Sequence, residues 1–223
     1  MTRFVKRAVR VAAAIILALL LSACGGSKRD SLSDLITTED WINVNDGDSY
    51  AFYADGSGKH ETVSLKYTLD TSSGTVYVTE GVATLSEKAF TLETEGEVIR
   101  LVPEDMRTFY VRERDYEKVS AEVRRENERI ITETKDWIIR GENSTQFYAS
   151  FESDGTGKVW LYYKLKLMFT GKMTWEMLDN DTVKLHFSYA GKKYEHIVDV
   201  VNDNGEYTLR SPLDDSIYYY PDR

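Results

Sequence analysis

The chain has little of the chemistry that most catalytic and metal sites require, because its 223 residues include one cysteine and three histidines. A single cysteine excludes an intrachain disulfide, a Cys-x-x-Cys redox pair and a thiolate metal site within the chain. His60, His186 and His196 are not spaced so that one element would place two imidazoles on one metal ion. We therefore expect each histidine on the surface of a strand.

Long apolar runs are also scarce. The run from Val11 to Leu21 has eleven residues, which is too short to span a bilayer. Basic residues precede the run and small residues follow it at Ser22 and Ala23, which is the order of parts in a secretory signal peptide. The sequence therefore predicts that residues 1–23 are a targeting segment.

The stretch that ends at the cysteine, Leu21-Ser22-Ala23-Cys24, resembles the lipobox of bacterial lipoproteins. The resemblance implies that a diacylglyceryl group is attached to the sulfur of Cys24 and that the chain is cleaved just before it. Two acyl chains give a stable membrane anchor, whereas one holds a protein only marginally. We therefore expect a lipid-anchored, extracytoplasmic protein of the bacterial cell envelope. The alternative is an incidental thiol at an ordinary signal-peptidase site.

The formal net charge is −9, and removal of residues 1–23 takes away four of the 28 basic residues and none of the 37 acidic ones. The mature chain would then carry a formal charge of −13. Such negative charge argues against binding to nucleic acid, whose phosphates would repel it. It also argues against flat docking on an anionic membrane and favours a body held off the lipid by a polar tether over residues 24–36.

Beyond the tether, the chain contains two copies of one pattern, whose anchors recur in the same order. Asp40-Trp41-Ile42 matches Asp136-Trp137-Ile138, and the more specific anchor F-x-x-D-G-[ST]-G-K occurs in both copies at an offset of 99 residues. We therefore expect a duplicated unit, with domains over residues 37–113 and 136–223. A single sandwich with two similar turns is the alternative.

Within each copy, apolar residues alternate with polar ones, which is the pattern of half-buried strands. In the second copy the alternation runs without a break from Val159 to Phe169 and predicts a continuous strand there. Short segments rich in Asp, Asn and Gly separate the runs and favour antiparallel neighbours. Because open sheets leave exposed edges, we expect a mainly β fold of two small antiparallel up-and-down barrels.

In the second copy, Trp137 near the start of the first strand precedes the F-x-x-D-G-x-G-K hairpin and the segment Thr174–Leu185. Together these features resemble the lipocalin-like domains found in bacterial lipoproteins, over most of residues 137–220. The likeness is thinner in the first copy, where Val82 stands in place of Trp175. The resemblance implies a barrel and leaves the ligand open.

Between the copies, residues 114–135 lack Gly and Pro and are rich in Glu, Arg and Lys. Their apolar residues recur at spacings of three and four, which predicts a helix. Charged residues four apart, such as Arg129 and Glu133, should pair along its exposed side. We expect one stripe of this helix to pack on a barrel; a coiled-coil face with Asn127 as its polar position is the alternative.

Motifs for nucleophilic, phosphate and calcium chemistry are incomplete. Around Ser57, the G-x-S-x-G pattern fails because Asp55 stands at its first position. The two Gly-Lys pairs that follow the Asp-Gly turns lack the spacer and the Ser or Thr of a phosphate-binding loop. The acidic turn from Asn43 lacks the closing glutamate of an EF-hand, since its twelfth residue is Ala54. We therefore expect no catalytic residues, no metal site and no cofactor.

Aromatic side chains are the remaining signal, with fifteen tyrosines and four tryptophans. Because neighbours on a strand alternate faces, Trp160 and Tyr162 should lie opposite the apolar face and point outward. They form a candidate ligand-binding stripe, and ordinary surface or helix-packing residues are the alternative. Trp41 and Trp137 are expected to close the barrel ends as structural residues.

The sequence thus favours a membrane-anchored lipoprotein that acts as a non-catalytic binding module for a small apolar ligand or for a partner at the cell surface. The alternative is a structural or interaction protein of the cell envelope that has no small-molecule ligand. The two hypotheses differ in whether the barrels enclose a cavity, since small barrels are readily filled by their own side chains.

Overall fold

The computed structural model describes residues 32–81, 87–104, 108–140, 145–203, 206–212 and 218–221. Within those ranges the chain is mainly β, with sixteen strands and two helices. The predicted signal segment, residues 1–23, and the lipid-anchor residue Cys24 lie outside the described residues. The anchor therefore stays a prediction from the sequence.

Eight antiparallel strands form the first closed barrel, in which each strand pairs with its neighbours along the chain and the last strand returns to the first. In chain order the elements are α1 (Leu32–Thr37), β1 (Trp41–Asn43), β2 (Ser49–Phe52), β3 (Ser57–His60), β4 (Val63–Asp70), β5 (Thr75–Glu80), β6 (Glu87–Glu95), β7 (Val98–Pro103) and β8 (Tyr110–Arg112). Ten inward side chains pack with Ile36 as one buried core: Trp41, Tyr50, Phe52, Leu65, Val76, Val78, Phe90, Leu92, Leu101 and Tyr110.

The second barrel has the same plan and also closes on itself, through the pairing of its last strand with its first. Its strands are β9 (Trp137–Arg140), β10 (Thr145–Phe151), β11 (Thr156–Tyr163), β12 (Lys166–Met177), β13 (Thr182–Tyr189), β14 (Lys192–Asp203), β15 (Glu206–Arg210) and β16 (Tyr218–Pro221). The period-two pattern explains its core, because in β13 Val183 and Leu185 are buried while Lys184 between them is not. The prediction of two tandem antiparallel barrels is confirmed.

One helix, α2 (Glu113–Glu133), joins the barrels, as predicted. In its second half, Ile131 is fully buried in the core of the second barrel. The Asn127 amide donates a hydrogen bond to the carbonyl of Asn180 at 2.8 Å. Asn127 therefore anchors the helix to a barrel turn, while the predicted ion pair between Arg129 and Glu133 is present on the exposed side.

The duplicated F-x-x-D-G-[ST]-G-K motif forms the same turn in both barrels. Asp55 accepts hydrogen bonds from the backbone N–H of Ser57 at 2.9 Å and from its hydroxyl at 2.6 Å, and Asp154 does the same with Thr156 at 3.0 and 2.6 Å. These hydrogen bonds lower the pKa of both carboxyls. The glycine that follows each aspartate has a φ of 83° or 80°, a left-handed conformation that glycine adopts without a steric penalty.

The predicted continuous strand from Val159 to Phe169 is wrong, because the chain reverses direction within it. β11 ends at Tyr163 and β12 begins at Lys166, so the two residues between them, Lys164 and Leu165, form a tight turn. Their φ angles are 48° and 63°, in the region that glycine and asparagine usually supply in such turns. Because no Gly, Asn, Asp or Pro occurs at this turn, the alternating pattern predicted a strand through it.

Candidate functional site

The two tryptophans at the start of the barrels are fully buried and make equivalent hydrogen bonds. Trp41 donates its indole N–H to the carbonyl of Ile36 in α1 at 3.1 Å. Trp137 donates to the carbonyl of Ile131 in α2 at 3.2 Å. Because a buried indole N–H needs a partner, each tryptophan ties the end of a helix to the core of its barrel.

Trp160 and Tyr162 lie on the outer face of the second barrel and belong to a larger cluster. Tyr148 on β10 is the direct partner of Trp160 on β11. Its ring is parallel to the indole, with 5.5 Å between the ring centroids. Tyr162 meets the same Tyr148 ring edge-on at 5.7 Å. Leu167 is directly opposite Tyr162 on β12 and therefore shares its face. We call these four residues the outer aromatic cluster.

A dense polar cluster lies inside the first barrel, at the end where β3 turns into β4. His60 places Nε2 at 2.6 Å from Asp48 and Nδ1 at 3.0 Å from Glu80. Its ring is parallel to that of Tyr50, with 4.2 Å between centroids. The Tyr50 hydroxyl and the Lys88 ammonium both donate to Oε1 of Glu80, at 2.6 and 2.9 Å. We call this group the ionic plug.

The members of the ionic plug bond to one another, and their burial and hydrogen bonds change two of their pKa values. Burial alone would raise the pKa of Glu80, but hydrogen bonds from Tyr50 and Lys88 outweigh it and lower that pKa. Burial, together with the hydrogen bond to Glu80, raises the pKa of Tyr50 above its usual range. Both nitrogens of His60 lie within hydrogen-bond distance of carboxylate oxygens, so Asp48 and Glu80 hold the ring in place between them.

The prediction that all three histidines lie on strand surfaces is wrong for two of them. His60 shares the inward face of the first barrel with Tyr50, its direct partner on β2. His196 faces inward in the second barrel, with Nδ1 at 3.1 Å from the hydroxyl of the buried Tyr219, and burial lowers its pKa. His186 faces outward as expected, within 3.2 Å of Glu195. Strand register sets these positions.

A depression of about 800 Å³ opens in the wall of the second barrel, and we call it the outer depression because outward side chains such as Lys158, Lys172 and His186 line its mouth. It lies where β12 and β13 part, because their pairing ends at Met173 opposite Phe187. Beyond that pair, each strand continues only with its other neighbour. The floor of this outer depression contains Met173, Phe187 and Tyr194, and polar side chains line its rim. The rim includes Lys158, Lys172, Lys193, Thr174 and His186.

The outer depression carries net positive charge, since three lysines and one carboxylate, that of Glu195, line it. Lys158 and Lys172 are direct partners across β11 and β12, and like charges so placed repel each other. In the part of the chain that the structure describes, no carboxylate lies within ion-pair distance of these lysines or of Lys193. The nearby Glu195 is bonded to His186 and to Lys184 instead. The rim is therefore locally positive, although the whole chain has a net charge of −9.

Sequence reasoning did not single out these lysines, although a signal was present. The segments 156–173 and 186–194 contain six lysines and no aspartate or glutamate. The lysines lie close together because β11, β12, β13 and β14 pair in that order. The alternating pattern predicted a continuous strand through the turn at Lys164, and it therefore did not indicate this pairing.

Within the described ranges, no group of three or more His, Cys, Asp or Glu side chains is placed to hold a metal ion. No helix among those residues combines the length and the apolar character needed to cross a membrane. Comparison with family models, curated proteins and solved structures found no match to this chain. The structure itself defines the class of protein: two closed eight-stranded antiparallel barrels in tandem, joined by a helix.

Proposed function

We propose that this protein is an extracytoplasmic lipoprotein, held at a bacterial membrane by lipid on Cys24, which binds a ligand without catalysing a reaction. The order of basic, apolar and small residues before Cys24 supports a signal peptide. The likeness of residues 21–24 to a lipobox supports the lipid anchor. The lipocalin-like pattern, clearest in the second copy, supports the barrel fold and leaves the ligand to be argued from the site.

The outer depression of the second barrel carries the binding part of the proposal. Three lysine ammonium groups line it without a described carboxylate partner, and Thr174 and His186 add hydrogen-bonding groups. An apolar floor lies beneath them at Met173 and Phe187. Concave sites with an apolar floor and a few polar groups are typical of small-ligand binding.

The chemistry of the outer depression favours an amphipathic anion, with a phosphate, sulfate or carboxylate head and a short apolar part. Lysine ammonium groups attract such a head as point charges. The rings of Phe187 and Tyr194 suit an apolar part. An anion between Lys158 and Lys172 would also relieve the repulsion between them.

The barrel interiors are less suited to a ligand than the outer surface. In the first barrel, the core around Phe90 and the ionic plug occupy the interior. In the second barrel, Met173, Leu185 and Tyr219 belong to one packed core. Eight-stranded barrels are just wide enough for their side chains to fill. We therefore place the ligand outside, rather than place an apolar ligand in the lumen.

A second candidate is a structural or interaction protein of the cell envelope that has no small-molecule ligand. The packed interiors favour it, and the outer aromatic cluster offers a surface of the composition found at protein interfaces. In that case the outer depression would be part of a protein interface.

Native mass spectrometry of residues 25–223 tests the binding proposal, since that chain retains every described element. That chain is exported behind a signal peptide that lacks a lipobox, and it is purified beside the variant Lys172→Glu. We expect a small anion bound to the wild type and absent from the variant, because the substitution replaces attraction by repulsion at the rim.

Ser64→Glu is the matched control, since Ser64 faces Lys59 in the first barrel as Lys172 faces Lys158 in the second. This control should keep the bound anion. Equal loss from both variants would contradict the assignment to the outer depression. A wild type that stays free of any anion, even after incubation with decyl phosphate, would favour the interaction protein.

A further inference from the structure

The β11–β12 hairpin is much longer than its counterpart in the first barrel. Counted from the equivalent Asp-Gly turns, β3 and β4 form four residue pairs and end at His60 opposite Val63. β11 and β12 form eight pairs and end at Tyr163 opposite Lys166. At about 3.3 Å per residue, four additional pairs lengthen the hairpin by roughly 13 Å. The extension is therefore a feature of the second barrel that the duplicated fold does not require.

The end of this extension is apolar and exposed. Leu165 at the turn is 87% exposed, and Leu167 and Met168 are 55% and 58% exposed. Met168 is the extra residue of a bulge, with no opposite residue on β11. Tyr189, at the end of the neighbouring hairpin, contacts Phe169 edge-on with 4.8 Å between ring centroids. We call Leu165, Leu167, Met168 and Tyr189 the apolar tip; a cluster of this kind marks an interaction surface.

Positive charge surrounds the apolar tip. Lys164 and Lys166 flank Leu165, and Lys192 and Lys193 follow the turn after Tyr189. The segments 156–173 and 186–194 contain no acidic residue, in a chain whose net charge is −9. Lysine side chains can extend to keep their ammonium groups in water while their stems lie along apolar surface. The charge and the apolar side chains together complement a bilayer with anionic headgroups.

Aromatic rings stand behind the apolar tip on the same hairpin. Trp160 is three residues before Tyr163, which corresponds to about 10 Å along the strand. Tryptophan and tyrosine are favoured at membrane–water interfaces, where one part of the ring is apolar and another is hydrated. The order of apolar residues, lysines and aromatic rings is typical of a segment that enters the headgroup region of a membrane.

The turn at the apolar tip is not the one that stability alone would favour. Lys164 and Leu165 both have positive φ, where Asn-Gly is the preferred pair. Residues other than glycine that are held at positive φ cluster at functional sites. Replacement of these two residues by Asn and Gly should therefore stabilise the fold, and it should at the same time remove an exposed leucine and a positive charge from the apolar tip.

We propose that the apolar tip of the second barrel inserts into the headgroup region of an anionic phospholipid bilayer. The proposal goes beyond ligand binding at the outer depression and does not require lipid on Cys24. An anionic bilayer is favoured over a second copy of the chain, because a symmetric contact between two such tips would bring their lysines together. The tip would give a tethered barrel a defined contact with the membrane.

Vesicle partitioning of residues 25–223 tests the proposal. We expect binding to vesicles that contain phosphatidylglycerol, and weaker binding at high salt or to phosphatidylcholine alone. Trp160 is the reporter, since Trp41 and Trp137 are fully buried and Trp175 is 9% exposed. Lipids with brominated acyl chains should quench tryptophan emission of the wild type, and Trp160→Phe should remove that quenching.

The double variant Lys164→Asn, Leu165→Gly should have a higher Tm. Its partitioning should be at least about tenfold weaker, because it loses one leucine that the bilayer would bury and one positive charge. Glu61→Gly relieves the positive φ in the equivalent turn of the first barrel and should leave partitioning unchanged. Absence of wild-type binding to anionic vesicles would overturn the proposal, as would equal binding by the double variant. A Leu165-dependent dimer in sedimentation, without vesicle binding, would overturn it in favour of self-association.

Discussion

Lys158 lies directly opposite Lys172 across β11 and β12, and no described carboxylate forms an ion pair with either. The equivalent pair in the first barrel joins Lys59 to Ser64, with one charge. Like charges that face each other across a sheet cost stability. The second barrel therefore carries an unfavourable pair at the point where the outer depression opens. This arrangement suits an anion-binding site better than a purely structural surface.

Lys172→Ser should stabilise the second barrel, because it removes the repulsion and copies the first barrel. We expect the free energy of unfolding to rise by roughly 0.2–1 kcal/mol. Urea denaturation measures the change. The reverse substitution, Ser64→Lys, should lower the stability of the first barrel by a similar amount. A lower urea midpoint for Lys172→Ser would show that the two lysines do not repel each other.

Trp137→Phe should destabilise the second barrel by roughly 1–3 kcal/mol, since it leaves the buried carbonyl of Ile131 without its indole donor. Trp160→Phe is the matched control on the outer face and should cost at most about 0.5 kcal/mol. Thermal or urea denaturation of both variants checks the difference. Equal costs would mean that the bond to the helix contributes little.

Stability should depend on pH through His196, whose pKa is lowered by burial. As the pH falls below about 6.5, the unfolded chain takes up a proton at this histidine before the folded chain does. The free energy of unfolding should therefore fall over that range and level off below the folded pKa. His196→Gln should remove this part of the dependence. An unchanged pH profile in the variant would place the dependence on other groups.

The barrels were predictable because their cause is local and repeated. The Asp-Gly turns recur with the same hydrogen bonds at Asp55 and Asp154. The alternation of apolar and polar residues between the turns predicts strands. The turn at Lys164 was not predictable from local signals, because the residues there are poor candidates for positive φ. The packing of the strands imposes that conformation on the chain.

The candidate site was predictable only in part. Alternation placed Trp160 on the outer face, but the bulge at Met168 shifts the register and brings Leu167 to the same side, which no sequence pattern showed. The inward position of His60 follows from its register with Tyr50, two residues after the close-packed Gly58. The outer depression depends on where β12 and β13 separate, and this is a property of the folded sheet.

Cys24→Ser should release the protein from the membrane into the soluble fraction, because the sulfur that would carry the lipid is lost. Circular dichroism of the released variant should still show the β structure. Fractionation of cells that express each form provides the measurement. Retention of the variant in the membrane fraction, with unchanged yield, would contradict a lipid anchor at this residue.

Methionine methyl NMR tests binding at the outer depression most directly, because Met173 lies in its floor while Met168 lies at the apolar tip. Residues 25–223, labelled at methionine methyl groups, are titrated with monomeric decyl phosphate. We expect the Met173 resonance to shift saturably in the wild type, with about fivefold weaker affinity in Lys172→Ser and unchanged affinity in Ser64→Glu. A Met173 resonance that does not shift, or that shifts equally in Lys172→Ser, would contradict an anion-binding site in the second barrel.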